Sequence, residues 1–522
     1  MDPAALEHEN DVTALRAIIA EQALKLAQKD DVLAARKDEI RKRDVIIDQL
    51  REQLALARHG QFGASSEKSE AHIDQLELML EEIEIHKSEA EAALPDLPFD
   101  VRTEARAKPS RQPLPDHLPR EDRVYEAPCS CPDCGGTSFL KAPDGVHEVL
   151  DYVPASFKVV RHIEKRFVCK DCDAPVHGTM PSLPIERGKP GAGLVAHVLV
   201  AKFDDHLPLY RQSEIYAREG VDISRSTLAD WVGQASHQLT PLVDLIKAHV
   251  FAADRLHGDD TPVPVLEPGK GRTKTGRLWV YVRDGKPYGD TSPHAVAYYY
   301  SPDRKGEHPQ NHLANFKGVL HADAYAGYKK LYGNQIFEAA CWAHVRRKFH
   351  DVIKIKASPM AEDAIKRIAA LYEIEERVMG LPPDERMTIR QTHAKPKIDA
   401  LAQWMKDNLK RLPQKQKLAE AMRYALSRWQ ALCLYLDDGR VEIDNNAAER
   451  AIRPIAVGRN NWLFAGSDDG GERTANILTL IETAKMSGLE PERYLTDVIS
   501  QINDITHARL HELLPWNRTK NN

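Results

Sequence analysis

The chain has 522 residues, 42% of them hydrophobic and 29% charged, which is enough for several domains with real cores. No apolar run reaches spanning length and the first residues lack a signal-peptide core, so a cytoplasmic protein is expected by default. The formal net charge of -6 is no signature of DNA binding, so any affinity for DNA must come from local basic patches; seven cysteines, five of them in one cluster, fit metal ligation in a reducing compartment better than a disulfide scaffold.

From the amino terminus, Val12, Ile19, Leu26, Leu33, Ile40, Ile47 and Leu54 repeat at a seven-residue period and form one complete seam of a coiled coil. The companion positions Leu15, Gln22, Lys29, Arg36, Arg43, Leu50 and Ala57 are apolar mainly at the ends. A polar middle lowers stability but fixes register, so this stretch predicts a modest zipper joining copies of the chain; the alternative is a single solvated helix. Residues 60–68 (GQFGASSEK) break the helix, and a second helix over 71–93 completes a coiled-coil and helix region at 8–93. A proline-rich linker at 94–120 follows.

Cys131 and Cys134, then Cys169 and Cys172, form two CxxC knuckles 34 residues apart. Each knuckle can place two thiolates on one tetrahedral zinc, with Gly135 and Gly136 letting backbone amides turn towards the sulfurs. The alternation over 147–160 and 161–168 predicts a β-hairpin between them, so 121–186 reads as a zinc ribbon holding a structural Zn2+. Cys129 is a possible substitute ligand, whereas His147, His162 and His177 read as surface or hairpin residues.

Residues 194–250 read as helical. A helix over 207–218 is followed by Gly220 and then by a second helix whose Leu228, Trp231, Val232, Ala235, Leu239, Leu242 and Val243 trace one apolar face. Two helices about a glycine turn suit a helix-turn-helix-like unit, and Arg225, Ser226 and Thr227 at the second helix's start are candidates for DNA contact.

Strand-like runs then follow over 255–266, 277–283, 295–300, 318–321 and 336–340, with Pro262 and Pro264 predicting a sheet edge in the first. Asp259 lies on the first strand and Asp323 just past the fourth. Glu449 follows Asn446 by three residues, a helix-start signature, with Pro454 ending or kinking that helix. Asp260 competes with Asp259, because neighbouring strand positions face opposite ways. Asp323 and Glu449 lie 126 positions apart and the interval carries long helical patterns, so 251–340 and 441–470 read as two parts of one α/β core split by an all-α insertion at 341–440, with closing helices at 471–522. Cys341 and His344 at the start of the insertion have ligand-like spacing but no second pair nearby, so they read as a buried thiol and a structural imidazole. Arg346, Arg347 and Lys348 beside them, and Arg450, Arg453 and Arg459 past Glu449, supply positive charge for DNA phosphates.

Taken in order, HGDDTPVPVL, LHADAYAGY, CWAHVRRKF and DNNAAERAIRP resemble the DDE transposases of the insertion sequence 66 family, from the zipper to the carboxyl-terminal tail. The resemblance implies a multidomain α+β protein: coiled coil, zinc ribbon, helical DNA-binding segment and a ribonuclease-H-like α/β catalytic core. It implies that Asp259, Asp323 and Glu449 hold two Mg2+ or Mn2+ ions, cleave DNA at the terminal inverted repeats of a mobile element and join it to target DNA. Accessory proteins of the same element are a further partner it leaves open. The rival reading is a catalytically inactive zinc and zipper DNA-binding regulator derived from a transposase; a second rival is a general nuclease.

Overall fold

The computed structural model describes residues 38, 40–51, 80, 83–87, 114, 116, 118–153, 156–185, 188–267, 272–333, 335–458 and 465–518. Most of the heptad stretch, the 60–68 break, most of the 94–120 linker and Arg459 lie outside them. Helical residues 40–51 and 83–87 are held together by Lys87–Asp44 at 2.6 Å and Arg51–Glu84 at 2.7 Å. The seam residue Ile47 and its companion Leu50 are buried within this single chain, at 4% and 5% exposure.

The described residues form a mixed α/β structure with two sheets. The first contains β1 (Arg120–Tyr125), β2 (Phe139–Val153), β3 (Ser156–Cys169) and β4 (Pro175–His177), ordered β1-β3-β2 with β4 on β3. β2 and β3 make a long antiparallel hairpin that reverses between Val153 and Ser156, not near Val160 as the alternation predicts. Val159 and Val160 are both buried, so burial on successive positions hid the continuing strand.

Three helices follow: α1 (Ala192–Phe203), α2 (Leu209–Arg218) and α3 (Arg225–Phe251). Gly220, at a φ of 83°, makes the turn into α3 as its position predicts. All seven residues of the expected apolar face of α3 are buried. They share one core with Trp279 and Tyr281 of the second sheet, so this helical segment is also a layer of the α/β unit.

The second sheet comprises β5 (Arg255–Glu267), β6 (Arg272–Arg283), β7 (Ala295–Ser301), β8 (Gly318–Ala322) and β9 (Ile336–Ala339), in the order β7-β6-β5-β8-β9. β5, β6 and β7 are antiparallel neighbours, whereas β8 lies parallel to β5 and β9 parallel to β8. The prolines do not mark an edge of the whole sheet: β5 is its central strand. They mark a local edge, because β8 pairs with β5 only over Arg255–Gly258. Pro262 and Pro264, two apart, turn their missing N–H groups to the side that β8 has left. There the Pro264 carbonyl accepts the Ala465 amide at 2.8 Å.

The two faces of this sheet are apolar in alternation. Trp279 and Tyr281 pack towards α3, while Leu278, Val280 and Val282 pack towards α11 (Asn446–Gly458) and α12 (Asp468–Met486). Between β9 and α11 come α4 (Glu307–His312, which precedes β8) aside, α5 (Trp342–Ile355), α6 (Pro359–Val378), α7 (Pro383–Ile389), α8 (Lys395–Leu409), α9 (Lys417–Ser427) and α10 (Trp429–Asp437). These insertion helices have a separate core around Trp342, Phe349, Leu371 and Met422. The last helix, α13 (Pro491–Gln501), has proline in its first turn as expected. Pro454 does not end α11, which runs on to Gly458. A proline disrupts the bonds of the turn before it, and there the Tyr298 hydroxyl donates to the Ala451 carbonyl at 2.7 Å.

Candidate active site

Strand register decides where the acids point. Asp259 sits opposite Val280 of β6 and Asp260 opposite Trp279, and directly opposed residues share a face. Asp259 therefore faces the α11 side and Asp260 the α3 side. On the neighbouring parallel strand, His321 pairs with His257, and their rings stack at 5.1 Å. Two residues further along each strand stand Asp323 and Asp259, so strand periodicity brings both acids to the same side at the same end.

Glu449 reaches that side from the first turn of α11, and Asn445 sets the approach. Asn445 is wholly buried; its Oδ1 lies 3.0 Å from His257 Nδ1 and its Nδ2 donates to the Gly258 carbonyl at 2.9 Å. Its own amide donates to Cys341 Sγ at 3.3 Å, and its carbonyl accepts the amides of Ala448 and Glu449 at 3.1 and 3.2 Å. One side chain thus ties the start of α11 to the strand that carries Asp259. Asn446 carries the helix-start signature in the sequence, and Asn445, an asparagine just before an apolar helical run, is itself such a signal.

The electrostatics distinguish the two neighbouring aspartates. Burial, reinforced by the negative charges of Asp323, Asp260 and Glu449, pushes the Asp259 carboxyl up to about 7. Asp260, with its side chain 1% exposed, is instead clamped by Arg277 at 3.0 Å and Arg304 at 2.8 Å. Arg304 also comes within 3.8 Å of Asp323 Oδ2 and stacks on the Tyr325 ring at 4.3 Å. Neither arginine stands in a motif, and only the fold reveals them. A buried carboxylate surrounded by other carboxylates lacks positive charge, which is the setting a divalent cation fits.

The four cysteines make a second centre. Cys131, Cys134, Cys169 and Cys172 place their sulfurs within 4.8 Å of one another. Cys131 and Cys172 are 3.6 Å apart, and Cys134 and Cys169 3.5 Å. A tetrahedral zinc with Zn–S bonds of about 2.3 Å sets its sulfurs roughly 3.8 Å apart, so the thiols fit that ion. Gly135 takes a φ of 72°, and the Cys131 carbonyl accepts its amide at 2.8 Å. Cys129 is exposed and outside the cluster. The three histidines are outside it too: His147 is exposed, His162 is buried 2.8 Å from the Tyr125 hydroxyl, and His177 lies 2.8 Å from Glu164.

The family model described as "Transposase IS66 family" matches residues 187–473, more than half of the chain and a span containing Asp259, Asp323 and Glu449. The chain belongs to the IS66 transposase family. The family's zinc-finger binding domain matches residues 128–173, which hold all four clustered cysteines, and its C-terminal element matches 479–516. A model described as "Transposase C of IS166 homeodomain" matches 49–123. Relatives in Sinorhizobium fredii (strain NBRC 101917 / NGR234) include the uncharacterized protein y4hP, 42% identical over 87% of this chain and 86% of y4hP. The uncharacterized protein y4qI is 35% identical over 97% of both chains.

In this IS66 family chain the basic residues fall into two settings. Arg346 and Arg347 are exposed on α5, beside a hollow of about 380 Å³ that Asp444 and Asn446 also line. Arg450, next to Glu449, and Arg453, one turn past it, are exposed on α11, and Arg450 lies 3.9 Å from Asp284. At the start of α3, Arg225 is paired with Glu84 at 3.1 Å, and its side chain is 13% exposed. Ser226 and Thr227 join the capping residue Ser224, with oxygen–oxygen distances of 2.9 Å. Among the described residues no helix is long and apolar enough to cross a membrane.

Proposed function

We propose that the chain is an active DDE transposase whose second sheet is a ribonuclease-H-like core, and that Asp259, Asp323 and Glu449 are its catalytic carboxylates. The observation that carries the reading is the strand register that sets Asp259 and Asp323 on one side at one end of neighbouring strands, with Asn445 tying the start of the Glu449 helix to the Asp259 strand. Asp259, Asp323 and Glu449 would hold two divalent ions. Two Mg2+ or Mn2+ ions held there would supply charge neutralisation at the phosphate, an activated attacking oxygen and a stabilised leaving oxygen.

The protein's part is to hold the acids on rigid elements and to seat DNA over them. Water adds to the phosphorus at an element end while the bond to the 3′-oxygen breaks and that oxygen takes a proton. The freed 3′-hydroxyl then attacks a target phosphate, a target 3′-oxygen leaves, and the number of phosphodiester bonds is conserved. Arg346, Arg347, Arg450 and Arg453 are placed to neutralise backbone phosphates. Ser226 and Thr227 are offered for phosphates or bases, whereas Arg225 must first release Glu84. The terminal inverted repeats of the chain's own element and target DNA are the substrates, in the cytoplasm, with the zipper joining copies of the chain.

The test is Mg2+-dependent cleavage of DNA carrying the element's ends. Wild type is expected to cut at the repeat boundary, and Asp323→Asn or Glu449→Gln to slow cutting at least about a hundredfold, which corresponds to about 3 kcal/mol of lost transition-state stabilisation. Unchanged cutting in either variant removes the assignment. A wild type that binds the ends without cutting them favours the regulator, and cutting that ignores the repeats favours the nuclease.

A further inference from the structure

His344, in the first turn of α5, has an unusual setting. Its Nδ1 is sealed from solvent without a hydrogen-bond partner, and it lies 3.8 Å from Glu449 Oε1. Cys341, His344 and Glu449 each place one ligand atom within 4.8 Å of the others. Of these three, the sulfur is already engaged. It accepts the Asn445 amide at 3.3 Å.

That leaves an imidazole nitrogen and a carboxylate oxygen facing each other across a gap too long for a hydrogen bond. A buried nitrogen left without a partner is destabilising until something satisfies it. Two neighbouring ligands of an octahedral ion, each about 2.1–2.2 Å from it, stand roughly 3 Å apart, which a small side-chain rotation supplies here. The backbone already fixes both partners: α5 starts with the Trp342 amide on the Ile443 carbonyl at 3.1 Å, and Asn445 fixes the start of α11.

We propose that His344 is a ligand of the divalent ion held by Glu449, giving that position a nitrogen donor and a preference for Mn2+ over Mg2+. The proposal rests on the reading of Asp259, Asp323 and Glu449 as a two-ion pocket. Its chemistry follows from donor type: Mg2+ takes oxygen almost exclusively, whereas imidazole gains affinity along the transition series. Arg304 approaches the pocket from the Asp323 side, so the Glu449 position is the one the imidazole reaches.

The test is pulsed electron paramagnetic resonance of Mn2+ added to the zinc-loaded full chain. Wild type is expected to show nitrogen modulation from a coordinated imidazole, a reading that needs no variant to fold. His344→Ala and His344→Asn are expected to lose that modulation and to weaken Mn2+ binding by at least about tenfold, while Mg2+ binding changes by less than about threefold. Mn2+ whose binding is lost in Glu449→Gln but which shows no nitrogen modulation in wild type overturns the assignment and leaves the two-ion pocket standing. Modulation that persists in both His344 variants also overturns it. Mn2+ binding untouched by Glu449→Gln overturns the proposal and the pocket together.

Discussion

At the scale of single residues, Asp259 holds the most testable physics. Its folded carboxyl titrates near 7 against an ordinary 3.8, so without a divalent ion the folded chain binds that proton more tightly than the unfolded chain. The stability this group allows is therefore fullest below about pH 4 and is lost as pH rises through 7. Asp259→Asn removes the loss. With no divalent ion added, it should raise the unfolding midpoint at pH 8 by several degrees, about 2–4 °C for each kcal/mol recovered, and the gain should shrink steadily towards pH 4. Calorimetry across that range checks it; a gain that grows on acidification has the wrong sign. Asn445 carries the second prediction. Asn445→Ala strands His257 Nδ1 and the Gly258 carbonyl, at about 1–3 kcal/mol for each buried group left unpaired. Denaturant unfolding should show that loss, and end cleavage should fall with it because Glu449 loses its anchor; full cleavage with lowered stability would separate Asn445 from the acids.

At the scale of elements, the zinc ribbon and the α/β unit are coupled through shared packing. Leu150 and Phe157 of the β2–β3 hairpin lie in the same core as α1 and α3. Structural zinc contributes about 10–16 kcal/mol in apparent binding, so Cys169→Ser or chelation should expose residues 120–180 to protease. The helices of the insertion, with their own core, should stay resistant; simultaneous digestion of both would show that one cooperative unit spans them. What the sequence made legible follows the same division. Strands with alternating or continuous apolar runs, such as β6 and β7, and the face of α3 were readable because burial leaves a period behind. Asp259 was separable from Asp260 only as a pair of opposite orientations, since the face each takes depends on the register with β6. Arg304 was not readable at all, because its meaning comes from Asp260, and His344 was read as structural because its partner Glu449 is distant in the chain. Of the heptad positions among the described residues, Ile47 and Leu50 are covered by this same chain, whereas Ile40 is half-buried.

At the scale of the whole molecule, the fold places one acid on the central strand, one after its parallel neighbour, and one on a helix that returns only after the insertion. The insertion makes that return accurate. The Ala340 amide donates to Ala431 and the Trp342 indole to the Leu432 carbonyl at 2.9 Å, so the last strand and the chain leading to α11 are held by the same small core. The central claim is that these three separate elements make one ion-binding pocket. The most direct measurement is anomalous diffraction at the manganese edge from crystals of the full chain grown with Mn2+. Two peaks roughly 3.5–4 Å apart, one shared by Asp259 and Asp323 and the other by Asp259 and Glu449, are the expected result. Manganese absent from all three carboxylates at saturating concentration, or bound to one of them alone, would contradict the account.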